Sequence, residues 1–496
     1  MIPKRMEIYL RQQLLESTWQ RHLECKNGLC FMEFNATDVE QLSRLGIVAD
    51  ALGPQLVVCM WDESSPLELG GYLVVDNLAM GRPSMGGIRM LPEVTPAEIY
   101  NLARGMTLKN TAAHLPYGGG KSGIFSEIGL TSEQHTEVVR GWARLLFRYL
   151  DIYLPGPDVG TNDADMKTIA IENGIDHVLS KPIDMGGNSI DQLGAAAGGT
   201  IIALQALLEE LPRLQALPHF AGLRIPAPHE VTVLIQGFGA VGAHAARILG
   251  ERLPQARVIG VSDVAGYLYD ERGLPVGELF QRWQQDGIVT HPYFLAHRED
   301  TSGGAFKYST QPNDLLCENA FCLITAAPIA NYLDIDTTSH PSMTVDRMGR
   351  WVVSVEGTNT YSPDPARKAA RHSMEQIVYR QRGVLIATDY LVNSGGVIFA
   401  AQEKLIETPP ELHLPQEIIG QRVAVDKWLA THAAEFTELA EKRRLAAVEH
   451  RELALRSNMH ELVNLLISDA NMLPSDAAER ISARRIVTRA PTVYGA

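Results

Sequence analysis

The residues best suited to chemistry gather where glycine and charge occur together. One series runs Ser84-Met85-Gly86-Gly87-Ile88-Arg89-Met90, then Met106-Thr107-Leu108-Lys109-Asn110, then Leu115-Pro116-Tyr117-Gly118-Gly119-Gly120-Lys121-Ser122-Gly123. Three glycines beside Lys121 describe a backbone that bends sharply and admits another molecule at close range. A lysine in such a water-poor, glycine-lined place can exchange protons with a bound substrate. Gly120-Lys121-Ser122 also matches the end of a phosphate-cradling Walker loop. That loop needs glycine five positions before Gly120, where this chain has Leu115, so a P-loop nucleotide hydrolase is disfavoured. Downstream, Pro157-Asp158-Val159-Gly160-Thr161 puts a carboxylate in a Pro/Gly loop. Taken singly, Asp158 reads as a turn or capping residue and Lys109 as a helix lysine reaching for solvent.

A second series begins at Val231–Gln236, an apolar strand that leads into Gly237-Phe238-Gly239-Ala240-Val241-Gly242 and an alanine-rich helix. G-x-G-x-x-G alone is a weak pattern, but strand before and helix after is the context a dinucleotide requires. Gly237 would allow the tight turn, Gly239 the approach of pyrophosphate, and Gly242 close packing of helix on strand. Asp263, 21 residues beyond Gly242, ends the next strand. A carboxylate there can accept from the ribose hydroxyls and repel a 2′-phosphate, which favours NAD over NADP.

These residues need elements to hold them. Strands are expected at Gln55–Trp61 and Gly71–Asp76, and a helix after Thr95-Pro96-Ala97-Glu98, which reads as a capping box. Ile99, Leu102, Ala103 and Met106 recur at helical spacing along it, with Lys109 near its end. A helix over Ser132–Tyr149 follows. From about residue 195 helices and strands alternate: helix Ala195–Leu211, strand Val231–Gln236, helix Ala240–Leu249, strand Arg257–Ser262, then strands at Cys322–Ala326 and Trp351–Val355. Such alternation builds a parallel sheet. Residues 1–50 read as helical and polar. The chain after Gly396 reads as helical to about residue 485, with the charge run Glu441–Arg444 on a solvated face.

The 496 residues suggest two to three domains. A formal charge of -14 argues against binding nucleic acid or acidic membranes. No apolar run reaches the roughly 18 residues of a membrane span, and Met1–Ile8 lacks a secretory leader's apolar core. Five cysteines without a Cys-x-x-Cys, Cys25 and Cys30 among them, read as ordinary thiols of a reducing cytoplasm. No ligand spacing for a metal is present. His114 and His244 read as structural histidines.

The motifs G-G-I-R-M, M-T-L-K-N, L-P-Y-G-G-G-K-S-G and P-D-V-G-T come in that order. G-F-G-A-V-G, Glu356-Gly357-Thr358-Asn359 and Asn393-Ser394-Gly395-Gly396-Val397 follow them. The ordered set resembles the glutamate/leucine/phenylalanine/valine dehydrogenase family, from about Leu56 to Glu403. That resemblance implies NAD(P)-dependent, reversible oxidative deamination of an L-amino acid to a 2-oxo acid and ammonia. It implies that Lys109 holds the substrate α-carboxylate, Lys121 is the acid/base at the reacting carbon, and Asp158 relays a proton at the substrate nitrogen. Met85, Gly86, Gly87, Asn393 and Ala400 would line the substrate. Gly237, Phe238, Gly239, Ala240, Val241, Gly242, Asp263, Ala326, Asn359 and Asn393 would hold the cofactor.

The implied fold is α/β: an N-terminal substrate-binding and assembly domain over residues 1–194, and a Rossmann-type domain over 195–425. Helices of about 426–496 would return to the first domain, with the active site in the cleft between the two. Homo-oligomers are expected. Glutamate-specific members carry lysine at the position of Met85 and serine at that of Ala400 to grip the side-chain carboxylate. Both are apolar here, so a branched-chain or aromatic substrate is expected, because a buried carboxylate without a partner is strongly disfavoured. On the other side, Glu356–Asn359 resembles the glutamate-type E-G-A-N, and Ala196 lacks the threonine hydroxyl that reaches the nicotinamide amide in that type. Glutamate dehydrogenase with an atypical clamp is therefore the first alternative. A non-catalytic scaffold is the second, disfavoured because it has no use for Lys109, Lys121 and Asp158 together.

Overall fold

Two strands with alternating side chains, β3 (Leu56–Asp62) and β4 (Gly70–Asn77), form the middle of a seven-stranded sheet. Its other strands are β1 (Leu23–Lys26), β2 (Leu29–Asn35), β5 (Ser84–Leu91), β6 (Gly118–Phe125) and β7 (Tyr153–Pro157), in the order β1-β2-β3-β4-β6-β5-β7. The computed structural model describes residues 2–127, 129–188, 190–297 and 306–489. Helices α1 (Lys4–Gln13), α2 (Glu16–His22), α3 (Val39–Arg44), α4 (Pro96–Ala112), α5 (Ser132–Leu146) and α6 (Asp163–Asn173) accompany this sheet.

Period-two alternation sorts the strand residues between two cores. Val57, Cys59, Trp61, Tyr72 and Val74 pack with Met6 and Leu10 of α1 and with Ile99, Tyr100 and Ala103 of α4. Val58, Met60, Leu73, Val75, Ile88 and Met90 pack with Trp142 of α5 and Met166 of α6. Lys121 lies in register with Val74, so it projects on the α4 side, while Ser122, opposite Leu73, takes the other face. Thr95 caps α4 by accepting from the Glu98 N–H at 3.2 Å. Glu98 does not return the bond that a capping box needs. Its carboxylate turns to Arg89, 3.0 Å away.

The N-terminal segment corrects the sequence reading twice. Residues 23–35 form a hairpin, not helix, because Asn27 and Gly28 both sit at positive φ (54° and 83°), as a two-residue turn joining twisted strands demands. That turn sets Cys25 opposite Cys30, and the two form a disulfide instead of remaining free thiols.

The second sheet runs β11-β10-β9-β8-β12-β15-β16. Its strands are β8 (Thr232–Gln236), β9 (Arg257–Asp263), β10 (Gly266–Asp270), β11 (Phe306–Ser309), β12 (Cys322–Thr325), β15 (Val353–Glu356) and β16 (Leu385–Ala387). A two-residue pair, β13 (Leu333–Asp334) and β14 (Met343–Thr344), lies apart. From β9 to β16 the neighbours are parallel, and β10 and β11 extend the edge antiparallel. The parallel strands are buried almost throughout, as strands covered on both faces must be. With this sheet go α7 (Ile190–Leu193), α8 (Ala195–Leu214), α9 (Ala240–Arg252), α10 (Val276–Asp286), α11 (Thr290–His297), α12 (Pro365–Glu375) and α13 (Asp389–Val392). After them come α14 (Gly395–Leu405), α15 (Arg422–Thr431), α16 (Ala433–Ser468) and α17 (Pro474–Arg489).

Two compact units result: Met1–Ser189 with Val397–Glu449 and Arg484–Ala496, and Ile190–Gly396 with His450–Ala483. The expected boundaries move accordingly. The Rossmann-type unit ends at Gly396 and not at 425, and it keeps residues 450–483 of the C-terminal helices. The charge run on α16 is also not wholly solvated. Arg443 is fully buried, and donates to the carbonyls of Gly186 and Ile406 and to the Thr408 hydroxyl. A guanidinium with five donors can be buried only where acceptors are arranged around it.

Candidate active site

In the first unit, Lys121 and Asp158 meet. The Lys121 Nζ lies 3.1 Å from Asp158 Oδ2, and the lysine side chain is 7% exposed. A third group, without a part in the sequence reading, joins them: Arg89 Nε donates to the same Oδ2 at 3.0 Å. Its Nη1 donates to Glu98 Oε1 at 3.0 Å, which ties the cluster to the first turn of α4. Burial pushes the Asp158 carboxyl up, but Lys121 and then Arg89 outweigh it and hold it down to about 2. Asp158 is therefore a fixed anion with both cations on one oxygen. Among the described residues, Oδ1 has no partner. This leaves one lone-pair face of a carboxylate and one ammonium side by side, the pairing needed to take a proton from one substrate atom and give one to another.

The loops around the pair explain the motif residues. A Cβ on Gly87 would lie 3.0 Å from Lys121 Nζ and 2.8 Å from Asp158 Cβ, so any side chain there would crowd the pair. A Cβ on Gly86 would lie 1.7 Å from the Gly120 carbonyl oxygen. The buried Tyr153 hydroxyl donates to the Gly86 carbonyl at 2.8 Å and pins that strand. In P-D-V-G-T, Gly160 turns the chain at φ +85°, and Thr161 Oγ1 donates to the Ile88 carbonyl at 2.8 Å and accepts from the Asp158 N–H at 3.0 Å. The loop thereby aims Asp158 at Lys121. Lys109 is half-buried in the last turn of α4, the helix that covers the face from which Lys121 projects. Met85 is 1% exposed and shares the strand face of Gly87 and Arg89; Ala400, on α14, is 8% exposed.

In the second unit, β8 lies between β9 and β12, with the chain crossing from one side to the other, the topological switch where open α/β sheets bind ligands. Its turn fits a dinucleotide. Gly237 has φ +94°, and a Cβ there would lie 2.4 Å from the Ala327 N. Nothing lies within 4 Å of a Cβ on Gly239, so the space before α9 is open where pyrophosphate would sit. A Cβ on Gly242 would lie 2.0 Å from the Gly237 carbonyl oxygen, which confirms the close packing. Gly239 and Ala240 are exposed and Gly239 makes no side-chain cap, so the first N–H groups of α9 are left for a ligand. Phe238 is buried and its N–H bonds the Ser262 carbonyl at 2.6 Å; Val241 is half-buried. The Ala326 N–H bonds the Gln236 carbonyl at 2.7 Å and closes the loop beside Gly237. Asn393 Nδ2 donates to the carbonyls of Gly357 and Thr358 and to Asn359 Oδ1, while its own Oδ1 is buried without a partner among the described residues. That acceptor is available to a nicotinamide amide.

Asp263 departs from its expected part. It ends β9, but Oδ2 accepts from the N–H groups of Val289 and Thr290 (2.7 and 2.9 Å). Oδ1 accepts from the Ala265 N–H and the Thr290 hydroxyl (2.9 and 2.6 Å). Four bonds fill the acceptor sites of a carboxylate, so Asp263 caps α11 and has no lone pair left for ribose. What it can offer is charge. His244 is a packed histidine, edge-on to Phe280 and Trp283 at 5.1 and 5.5 Å.

Comparison with known proteins agrees with both halves. The Glu/Leu/Phe/Val dehydrogenase dimerisation domain matches residues 60–173, and the Glutamate/Leucine/Phenylalanine/Valine dehydrogenase domain matches residues 219–412. An NADP-specific glutamate dehydrogenase of Saccharolobus shibatae is 30% identical over 66% of this chain and 69% of its own length. A catabolic NAD-specific glutamate dehydrogenase of Bacillus subtilis is 28% identical over 68% of this chain and 70% of its own. Among solved structures, a leucine-bound hetero-hexameric glutamate dehydrogenase from Thermus thermophilus shares the fold. Its TM-score is 0.59 at 20% identity, over 99% of this chain and 96% of that one. L-tryptophan dehydrogenase from Nostoc punctiforme gives 0.51 at 17%, over 88% and 97%. With a lysine–aspartate pair in one unit, a dinucleotide turn in the other and both domain models matched, the chain belongs to the glutamate/leucine/phenylalanine/valine dehydrogenase family of NAD(P)-dependent amino-acid dehydrogenases.

Proposed function

We propose that the chain catalyses reversible deamination of an L-amino acid with an apolar side chain, using NAD. When bound at the Gly237–Gly242 turn, the nicotinamide would supply the hydride acceptor. Every proton step belongs to this chain's own residues. Lys109 holds the α-carboxylate, as an ammonium placed against a desolvated anion does. Asp158 Oδ1 accepts from the substrate nitrogen, and Lys121 gives and takes the proton at the oxygen that enters as water and leaves as the 2-oxo group. The carrying observation is Met85, buried two residues from Gly87 on the same strand face, where a glutamate-binding site needs a cation. Ala400 adds a second apolar position.

The second reading is a glutamate dehydrogenase with a different grip on the side chain, supported by the names of the sequence relatives. NADH oxidation with ammonia and a panel of 2-oxo acids separates the two: the proposal expects 4-methyl-2-oxopentanoate or phenylpyruvate to outrun 2-oxoglutarate at least tenfold in kcat/KM, roughly one lost polar anchor, and the reverse order overturns it. Preference for NAD rests on the charge of Asp263, which opposes a 2′-phosphate without touching it. Self-assembly through the first unit is part of the proposal, and light scattering on the purified chain tests it. A place in the cytoplasm is likewise proposed. No helix among the described residues is long and apolar enough to cross a membrane.

A further inference from the structure

Behind the Glu356–Asn359 loop lies a cavity that none of the cofactor residues named above lines. It is small, about 50 Å³, room for a few waters or one small anion. Helix α12 turns Arg367, Lys368, Arg371 and His372 toward it. Most of that charge is matched: Lys368 by Glu479 at 2.7 Å, His372 by Asp476 at 2.9 Å, and Arg371 by Glu356 and Glu375, both at 2.7 Å. Arg367 has no ion pair among the described residues.

Three further atoms are unmatched. Arg371 Nη2, Thr388 Oγ1 and Tyr390 OH are buried, belong to residues lining this cavity, and have no hydrogen-bond partner among the described residues. Thr388 is 4% and Tyr390 2% exposed, so bulk water does not serve them. Buried polar groups in native proteins are nearly always satisfied, by protein, ordered water or ligand. All three can donate, and so can Arg367. The ligand that complements a set of unmatched donors is an oxyanion.

The wall of this cavity is also part of the cofactor loop. Thr360 and Tyr361 line it directly after Asn359, and their N–H groups donate to Asp389, between Thr388 and Tyr390, at 2.6 and 2.7 Å. We propose that the cavity binds a small oxyanion, a carboxylate or inorganic phosphate, at a site separate from substrate and cofactor. Its occupancy steadies the Glu356–Asn359 loop and tightens NADH binding. The tightening rests on the cofactor role proposed for Asn359; the site itself does not.

The test uses the full chain, with thermal unfolding and NADH fluorescence titration in sodium phosphate or acetate against sodium chloride of equal ionic strength. Wild type should gain a few degrees in midpoint with at least one of the two anions, and its NADH Kd should fall at least threefold. Which anion acts identifies the source. Tyr390→Phe and Arg367→Gln should keep the midpoint seen in chloride, since Tyr390 OH has no protein partner to lose, and should lose the gain. The site is overturned if neither anion raises the midpoint, or if both variants gain as much as wild type. A gain with unchanged NADH affinity overturns the coupling. The unfolding readout needs no turnover, so failure of the deamination assay leaves it standing.

Discussion

Removing Arg89 should be felt first in the protonation of Asp158. With the Lys121 ammonium alone to oppose burial, the carboxyl rises from about 2, by about one pH unit or more. For Arg89→Met we expect the acid limb of kcat/KM to move upward by that amount, with kcat down about tenfold; an unmoved limb would show that Arg89 does not act through Asp158. Gly237–Gly242 is legible from the strand before it and the helix after it, whereas Lys121, Asp158 and Gly87 enter the candidate site through the motifs that resemble the family, since Asp158 taken singly reads as a turn residue. Arg89 lies in the same motif as Gly87, and period-two alternation places it on the same face, but its partner Asp158 is 69 residues away and no spacing announces the contact. Asp263 stands at the expected distance from Gly242, but nothing in the linear spacing reveals that residues 289–290 come back to occupy its carboxylate.

At the scale of elements, the two glycines of the dinucleotide turn should separate binding from folding. Gly239 has an extended backbone and open space beside it, so Gly239→Val should fold normally and weaken NADH binding at least tenfold, by filling the place of the pyrophosphate. Gly242→Val puts atoms into the Gly237 carbonyl and should destabilise the unit by about 1–3 kcal/mol. Fluorescence titration and thermal melts on the two variants check this; equal effects on binding and stability would contradict it. The helices and parallel strands that the sequence reading names (α4, α5, α8, α9, β8, β9, β12 and β15) lie within about three residues of the observed bounds, because burial on one or both faces writes its period into the chain; β5, β6, β7, β16, α6 and α10 to α13 are not among them. The β1–β2 hairpin was not, since β1 is exposed at all four residues and has no apolar period. Its one sign was Asn27-Gly28. Arg443 escaped notice inside a charged stretch because burial there depends on acceptors from Gly186 and Ile406, remote in sequence.

For the molecule as a whole, the depressed Asp158 carboxyl links stability to pH. Its folded value lies below the roughly 3.9 of an unfolded aspartate, so the contribution is complete above about pH 4 and is lost as pH falls toward 2. In Lys121→Ala the carboxylate loses its larger cationic partner, so the destabilisation seen at pH 7 should shrink as the melt is repeated toward pH 3; a constant difference would mean that the pair is not what the lysine contributes. The division into two units follows from two separate cores and two sheets, each with its own periodicity. The chain passes between them four times, after residues 189, 396, 449 and 483, and the expected end of the Rossmann-type domain at 425 lies about 30 residues beyond Gly396, where no compositional break marks the crossing. The account stands most directly on turnover by the Lys121→Ala enzyme with its best 2-oxo acid, ammonia and NADH. A fall of about 10²–10⁴-fold in kcat, with NADH affinity within twofold of wild type, is predicted; turnover close to wild type would contradict it.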